Sequence, residues 1–406
     1  MSATPSAWGV QYILCLPTED AARAAAAELT GLGHRLVAVR AHDHFRFVPS
    51  HFWYGKPPMD PELEGWWQTF SLAVYAGYDR MQLGPLLRGE RMQVARVARA
   101  HGGFHQGGSE GHAETLEGVF TRDGLIRAQA AALVPLPEPL PVEPARPPSA
   151  PLLRCGGVGE PEAVARAVVS IAERMYGSAE HAPDAVEWLL DDEFAFGEPY
   201  ESASAFLGDL ADAVAHQGTC TDSTVEAVPF LVEVACDDEV PAGTRVIVLG
   251  ELLRLATTGP AAAVALADRI AALGVPWQEP AADYLTRRSI GHELPRLLAR
   301  WDHESDAARF VLIALTAACG DQGGLVRPPL DELSAPRGTD RADVLALATA
   351  LLDDDRDGLD EALRRLSSWL PRVAEKGASP HVARRDLGLA VLPDLVMEDA
   401  GSAVAR

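Results

Sequence analysis

The sequence has no CxxC pair, and its five cysteines (Cys15, Cys155, Cys220, Cys236 and Cys319) are an odd number scattered along the chain. Such a pattern argues against a disulfide framework and for a reduced, cytoplasmic setting. Long apolar runs are missing too. None approaches the roughly 20 residues that a membrane helix needs, and the first residues lack the basic and apolar regions of a secretory signal. There is no HExxH, no GxSxG and no Walker motif, so the motif-borne routes to zinc hydrolysis, serine acyl transfer and phosphate binding are not written here. Gly156-Gly157-Val158-Gly159 follows no predicted strand and is not followed by a lysine, so it is no phosphate cradle.

Positive charge is also scarce. Against 35 Lys and Arg stand 58 Asp and Glu, a formal net charge of −23. The imbalance is lopsided. Residues 1–135 carry 12 Lys/Arg against 13 Asp/Glu, which leaves 23 against 45 for the remainder, or −22. An acidic half of this size repels phosphate backbones, which excludes direct nucleic-acid binding by that half, and it attracts a basic protein. The same acidity also serves solubility alone, and both readings stand.

Several stretches carry clear local signals. Residues 8–16 (WGVQYILCL) read as a buried strand. Thr18 caps a following Ala-rich helix, Glu19 and Asp20 suit its N-terminal dipole, and Gly31 and Gly33 end it. Residues 34–40 and 67–75 alternate as strands, and 89–100 read as an amphipathic helix with Met92, Val94, Ala95, Val97 and Ala98 on its apolar side. A Gly-rich segment from His101 onward offers the start of a last strand. The order strand, helix, strand, strand, helix, strand is the ferredoxin-like one. Residues 133–151 hold eight prolines and predict a stiff polyproline spacer. The chain therefore divides into an α+β domain over 1–132, a linker over 133–151 and an all-α domain over 152–406.

The all-α part is predicted as successive helices over 160–176, 182–190, 201–215, 225–235 (Val225, Val228, Leu231, Val232 and Ala235 at helical spacing after a polar loop), 244–257, 261–273, 281–301, 307–319, 340–353, 359–370 and 381–397. Within it the run Ala227-Val228-Pro229-Phe230-Leu231 is echoed as Glu293-Leu294-Pro295-Arg296-Leu297, and again as Val391-Leu392-Pro393-Asp394-Leu395. Aligning Ser223 with Ser289, an offset of 66, also sets Val246 on Val311 and Val248 on Ile313 after a one-residue gap. A period of this length with paired helices predicts a helical-hairpin solenoid, whose units bury their apolar faces only by stacking and leave an extended concave surface. Each proline removes a backbone hydrogen bond and predicts a bend.

Two resemblances follow from these residues. Gly102, Gly103 and Gly107, behind an Ala-rich helix and an N-terminal strand, resemble the glycine-rich end of the regulator of ribonuclease activity B family. His105, Gln106 and Gly108 stand where that family has Tyr, Asp and Trp. The resemblance implies a ferredoxin-like fold and, more remotely, inhibition of a ribonuclease by protein contact. His216-Gln217-Gly218-Thr219 before Ala227-Val228-Pro229-Phe230-Leu231 is similar to bacterial HEAT-repeat proteins, which implies an α-solenoid that binds protein.

Candidate chemistry is thin. His42, His44 and His51 lie close together with Trp53 and Tyr54, but no carboxylate or cysteine completes a metal set. Asp353-x-Asp355-x-Asp357-Gly358 opens like a calcium loop, yet position 12 is Arg364, so it reads as a helix-capping turn. No nucleophile or carboxylate pairs with His216, which reads as a turn histidine. The expectation is a non-enzymatic interaction protein without cofactor or metal. Its partner is a basic protein, and His216, Gln217, Thr219, Asp237, Asp238, Glu239, Trp53 and Tyr54 are the candidate contacts. An immunity or inhibitor protein acting on a nuclease is the first alternative, and a metal-dependent hydrolase the second.

Overall fold

A computed structural model describes residues 7–42, 63–75, 80–113, 116, 126–128, 157–191, 200, 202–215, 219–320, 328, 333 and 340–404. The Pro-rich stretch 133–151, the aromatic residues Trp53 and Tyr54, and His44, His51, His216 and Gln217 lie outside the described residues. The chain divides into two compact units. One comprises Met1–Val142, Leu266–Trp277 and Ala378–His381, and the other Glu143–Ala265, Gln278–Gly377 and Val382–Arg406. The predicted helical part thus lends two short segments to the first unit.

The first unit is built on an antiparallel sheet. Its elements run β1 (Trp8–Leu16), α1 (Glu19–Gly31), β2 (Leu36–Ala41), β3 (Trp67–Tyr75), α2 (Arg80–Ala100), β4 (Phe104–His112) and a three-residue β5 (Ile126–Ala128). The strands lie in the order β4-β1-β3-β2-β5. Strand alternation divides the side chains cleanly. Val10, Tyr12, Leu14 and Leu16, with Val37, Val39, Ala73 and Tyr75, meet Ala22, Ala25, Ala26 and Leu29 of α1 and Leu87, Val94, Val97 and Ala98 of α2. The other face carries Ile13, Leu36, Ala38, Phe70, Leu72 and Val74, and packs on Ala113 and Leu116. Thr18 caps α1 as predicted, its hydroxyl accepting from the Ala21 N–H at 3.1 Å.

Three glycines of the resemblance motif have specific work in this sheet. Gly102 and Gly107 sit in the left-handed region at φ 74° and 134°, which side chains disfavour. A Cβ on Gly103 would stand 2.0 Å from the Cys15 carbonyl oxygen. The β1–β4 register slips between Ile13 and Leu14, beside Gly107, as a bulge requires.

The second unit is helical: α3 (Pro161–Tyr176), α4 (Asp184–Glu187), α5 (Ala203–Val214), α6 (Asp222–Cys236), α7 (Ala242–Ala256), α8 (Thr258–Leu273, its end counted with the first unit), α9 (Ala281–Leu298), α10 (Asp306–Ala318), α11 (Asp340–Leu352), α12 (Arg356–Trp369), α13 (Pro371–Lys376) and α14 (Arg384–Val404). The α6–α7 hairpin stacks on α9–α10, with α6 along α9 and α7 along α10. Residues paired by the repeat offset share the core: Val228 with Leu294, Leu231 with Leu297, Val246 with Val311, and Val248 with Ile313 are all buried. Filling a core with such side chains stabilises by roughly 1.5–3 kcal/mol for each large residue.

Some expectations shift. Helix α2 starts at Arg80 rather than Gly89 and runs through Gly84 and Pro85, because burial of residues such as Leu87 against the sheet outweighs local propensity. The helix expected over 182–190 is instead a four-residue turn of helix followed by a 3-10 turn at Trp188–Leu190. Helices α6, α9 and α14 continue unbroken through Pro229, Pro295 and Pro393. Asp355 caps α12, accepting from the Gly358 N–H at 3.1 Å, so the aspartate run forms the predicted turn. No single described helix is long and apolar enough to cross a membrane.

Candidate functional site

Two clusters of polar side chains stand out, one in each unit. In the helical unit, the α6–α7 connection carries the predicted Asp237, Asp238 and Glu239. Asp237 turns its Oδ1 to the Glu239 N–H at 2.8 Å and pairs through Oδ2 with Arg174, at the end of α3. Asp238 is largely exposed and accepts from Arg300 at 2.6 Å. Arg300 also reaches Glu304 at 3.1 Å, and Glu304 pairs with Arg245 at 3.3 Å in a buried contact. Arg296, near the end of α9, donates to Glu233 of α6. The arginine fork suits such carboxylates because it donates in a fixed plane. The Arg300 guanidinium holds the Asp238 carboxyl below its ordinary range. Glu239 is exposed.

This edge therefore joins two stacked hairpins by ion pairs, from α6 and the turn after it to α9 and the turn that follows. Thr219 stands in the segment leading to Cys220, whose N–H donates to Asp283 at 3.3 Å. Thr221 and Thr224 then form a reciprocal cap on α6. The structure does not bring Thr219 onto the Asp237–Glu239 turn. The two occupy opposite ends of α6.

The second cluster lies between the sheet and α2, and sequence reasoning missed it. Glu90 points from α2 onto the sheet and is buried. Its Oε2 accepts from the Tyr12 hydroxyl of β1 at 2.7 Å and also from the Tyr75 hydroxyl of β3. Its Oε1 stands 3.6 Å from Nε2 of His34. Nδ1 of His34 lies 2.8 Å from the Ser71 hydroxyl of β3. His105 of β4 stacks obliquely on Tyr12 with ring centres 5.7 Å apart. Burial raises the Glu90 carboxyl to about 7, a rise that the Tyr12 hydrogen bond and the Arg91 charge partly oppose. Burial lowers His34 to about 4, and it lowers His105 to about 4 with help from Arg91. The Tyr12 hydroxyl is pushed well above its ordinary range by burial and by the neighbouring carboxylate.

One signal for this cluster was readable. Leu87, Glu90, Val94 and Val97 follow helical spacing, so a carboxylate occupies the apolar stripe of α2. Among the described residues, no group of three or more His, Cys, Asp or Glu is placed to hold a metal ion. No family model, curated protein or solved structure matches the chain.

Proposed function

We propose that the chain is a non-enzymatic interaction protein in which a HEAT-like, acidic solenoid binds a basic protein, alongside a ferredoxin-like α+β unit. One observation carries the reading. Along the α6–α7 edge the four arginines Arg174, Arg245, Arg296 and Arg300 are already engaged by acids of the fold. Among the described residues of that edge these arginines are matched by Asp237, Glu304, Glu233 and Asp238, the exposed Glu239 stands beside them, and the half as a whole carries an excess of −22. A basic partner gains long-range attraction to such a surface and is steered onto it. The stacking of α6–α7 on α9–α10, with equivalent positions buried, supports the solenoid.

A second reading has its own support. The sheet order β4-β1-β3-β2 is that of a ferredoxin-like domain, and Gly102, Gly103 and Gly107 occupy positions that need glycine. Both favour the likeness to ribonuclease regulators, and with it a nuclease as the basic partner.

The test is retention of proteins from the native cytoplasm on the full-length chain, compared with the double reversal Asp238→Lys/Glu239→Lys. The expected result is a basic protein held by the wild type, released by salt and held less by the reversal. Retention that ignores both salt and reversal would sink the electrostatic reading. Nuclease activity of the retained protein, lost on adding the chain, separates the inhibitor from a general scaffold.

A further inference from the structure

We infer that Glu90 is a proton-operated latch, fastening α2 to the sheet when its carboxyl is protonated and loosening it when the carboxyl is ionised. The geometry carries this. Glu90 is the acidic residue in the buried stripe of α2, and it is tied to three separate pieces of the sheet: Tyr12 on β1, Tyr75 on β3, and His34 just before β2. Both tyrosine hydroxyls donate to Oε2. Oε1 is left facing Nε2 of His34, which accepts when Nδ1–H donates to Ser71. A proton on Oε1 thus faces a ring nitrogen 3.6 Å away, a contact longer than a hydrogen bond, and the whole group is then uncharged. Removing that proton leaves a buried anion that faces two tyrosine hydroxyls and the His34 imidazole, none of which carries a compensating charge.

The charged and titratable groups around it do not cancel that anion. From α2 itself comes Arg91, which is directed to Glu110 of β4. From β4 comes His105, held neutral by burial. The ionisable side chains of α1 lie outward, Arg23 with Glu19 and Glu28 with His101. Burial without a full counter-charge disfavours the ionised form, and the Glu90 carboxyl accordingly titrates near 7 instead of in the ordinary carboxylate range.

The sign follows from linkage. The folded carboxyl binds its proton more tightly than the unfolded one, so its contribution is whole below about 4.5 and is lost as pH rises through about 7. Neutral pH lies within that window, so a modest change in pH shifts the hold on α2.

The test is hydrogen–deuterium exchange of peptides from α2 in the full-length chain, as wild type and as Glu90→Gln. The ratio of the two exchange rates at each pH cancels the intrinsic pH dependence of exchange and the contribution of His34. That ratio is expected to rise about tenfold from pH 6 to pH 8, wild type opening more. A ratio that stays flat overturns the latch. Where Glu90→Gln does not fold, Tyr75→Phe carries the test. It removes a hydroxyl that donates to Oε2 in either protonation state but is worth more to the anion, so its exchange relative to wild type is expected to rise with pH, and a flat ratio again overturns the proposal.

Discussion

Nδ1 of His34 and the hydroxyl of Ser71 lie 2.8 Å apart, and both residues are buried at the sheet face under α2. Burial lowers the His34 pKa from 6.5 to about 4, so the folded protein resists a proton that the unfolded chain accepts. Stability from this source is present above about 6.5 and is lost as pH falls towards about 4. Glu90 works the other way over nearly the same range, gaining as pH falls from about 7. The two trends oppose one another, so the sheet unit of the wild type is expected to show a shallow pH profile. His34→Asn, which keeps a donor near Ser71, should expose the Glu90 limb, with melting temperature rising as pH drops from 7 to 5. A flat His34→Asn profile would show that the Glu90 carboxyl does not titrate across folding.

Much of the sheet unit was legible because its strands and caps are written locally. Trp8–Leu16 and Trp67–Tyr75 match the predicted strands end to end, and Thr18 caps where its hydroxyl and the following acids predicted. Helix α2 was half hidden, since Gly84 and Pro85 read as breaks in any local window. β5 was invisible, as three residues that join the β2 edge carry no periodicity. The Glu90 cluster needed register as well as pattern. Tyr12 is opposite Ser71, and Tyr75 opposite Trp8, only once β1 and β3 are paired. In the helical unit the aspartates of the α6–α7 turn were visible as charge. Their partners come from α3 (Arg174) and from the turn after α9 (Arg300), 63 and 62 positions away, a distance that no motif spans.

Gly108 of β4 and Gly103 just before it give a direct check on the β1–β4 pairing. A Cβ on Gly108 would lie 1.8 Å from the Gln11 carbonyl oxygen, and one on Gly103 would lie 2.0 Å from that of Cys15. Both obstacles are backbone atoms of a central strand, which cannot rotate aside. Gly108→Ala and Gly103→Ala are each expected to cost about 1–3 kcal/mol or more as the strands are forced apart. Gly31, at the end of α1, has nothing within 4 Å of the corresponding position, so Gly31→Ala should be neutral or stabilise by up to about 1 kcal/mol. Thermal unfolding of the three variants decides the point. Equal melting temperatures would mean that β4 does not lie this close to β1.

The ion pairs of the helical edge differ in burial, and that difference sets their energetics. Arg245 and Glu304 have side chains only 10% and 3% exposed, whereas that of Asp238 is 85% exposed. Glu304 also accepts from Arg300 at 3.1 Å. Replacing Glu304 by Gln removes the counter-charge and leaves the Arg245 guanidinium buried without it, a change expected to cost about 3–5 kcal/mol. Asp238→Asn removes a carboxylate already in water, and its loss should not be measurable by denaturant unfolding, since screening leaves exposed pairs weak. The paired replacement Arg245→Met/Glu304→Leu takes both charges out of the interior together. It should recover most of the stability lost in Glu304→Gln, because the desolvation cost disappears with the charges. If Glu304→Gln is as mild as Asp238→Asn, water reaches the Arg245–Glu304 contact. The α6–α7 and α9–α10 hairpins would then be held chiefly by their apolar faces, since the remaining pairs, Arg296–Glu233 and Arg300–Asp238, are more exposed.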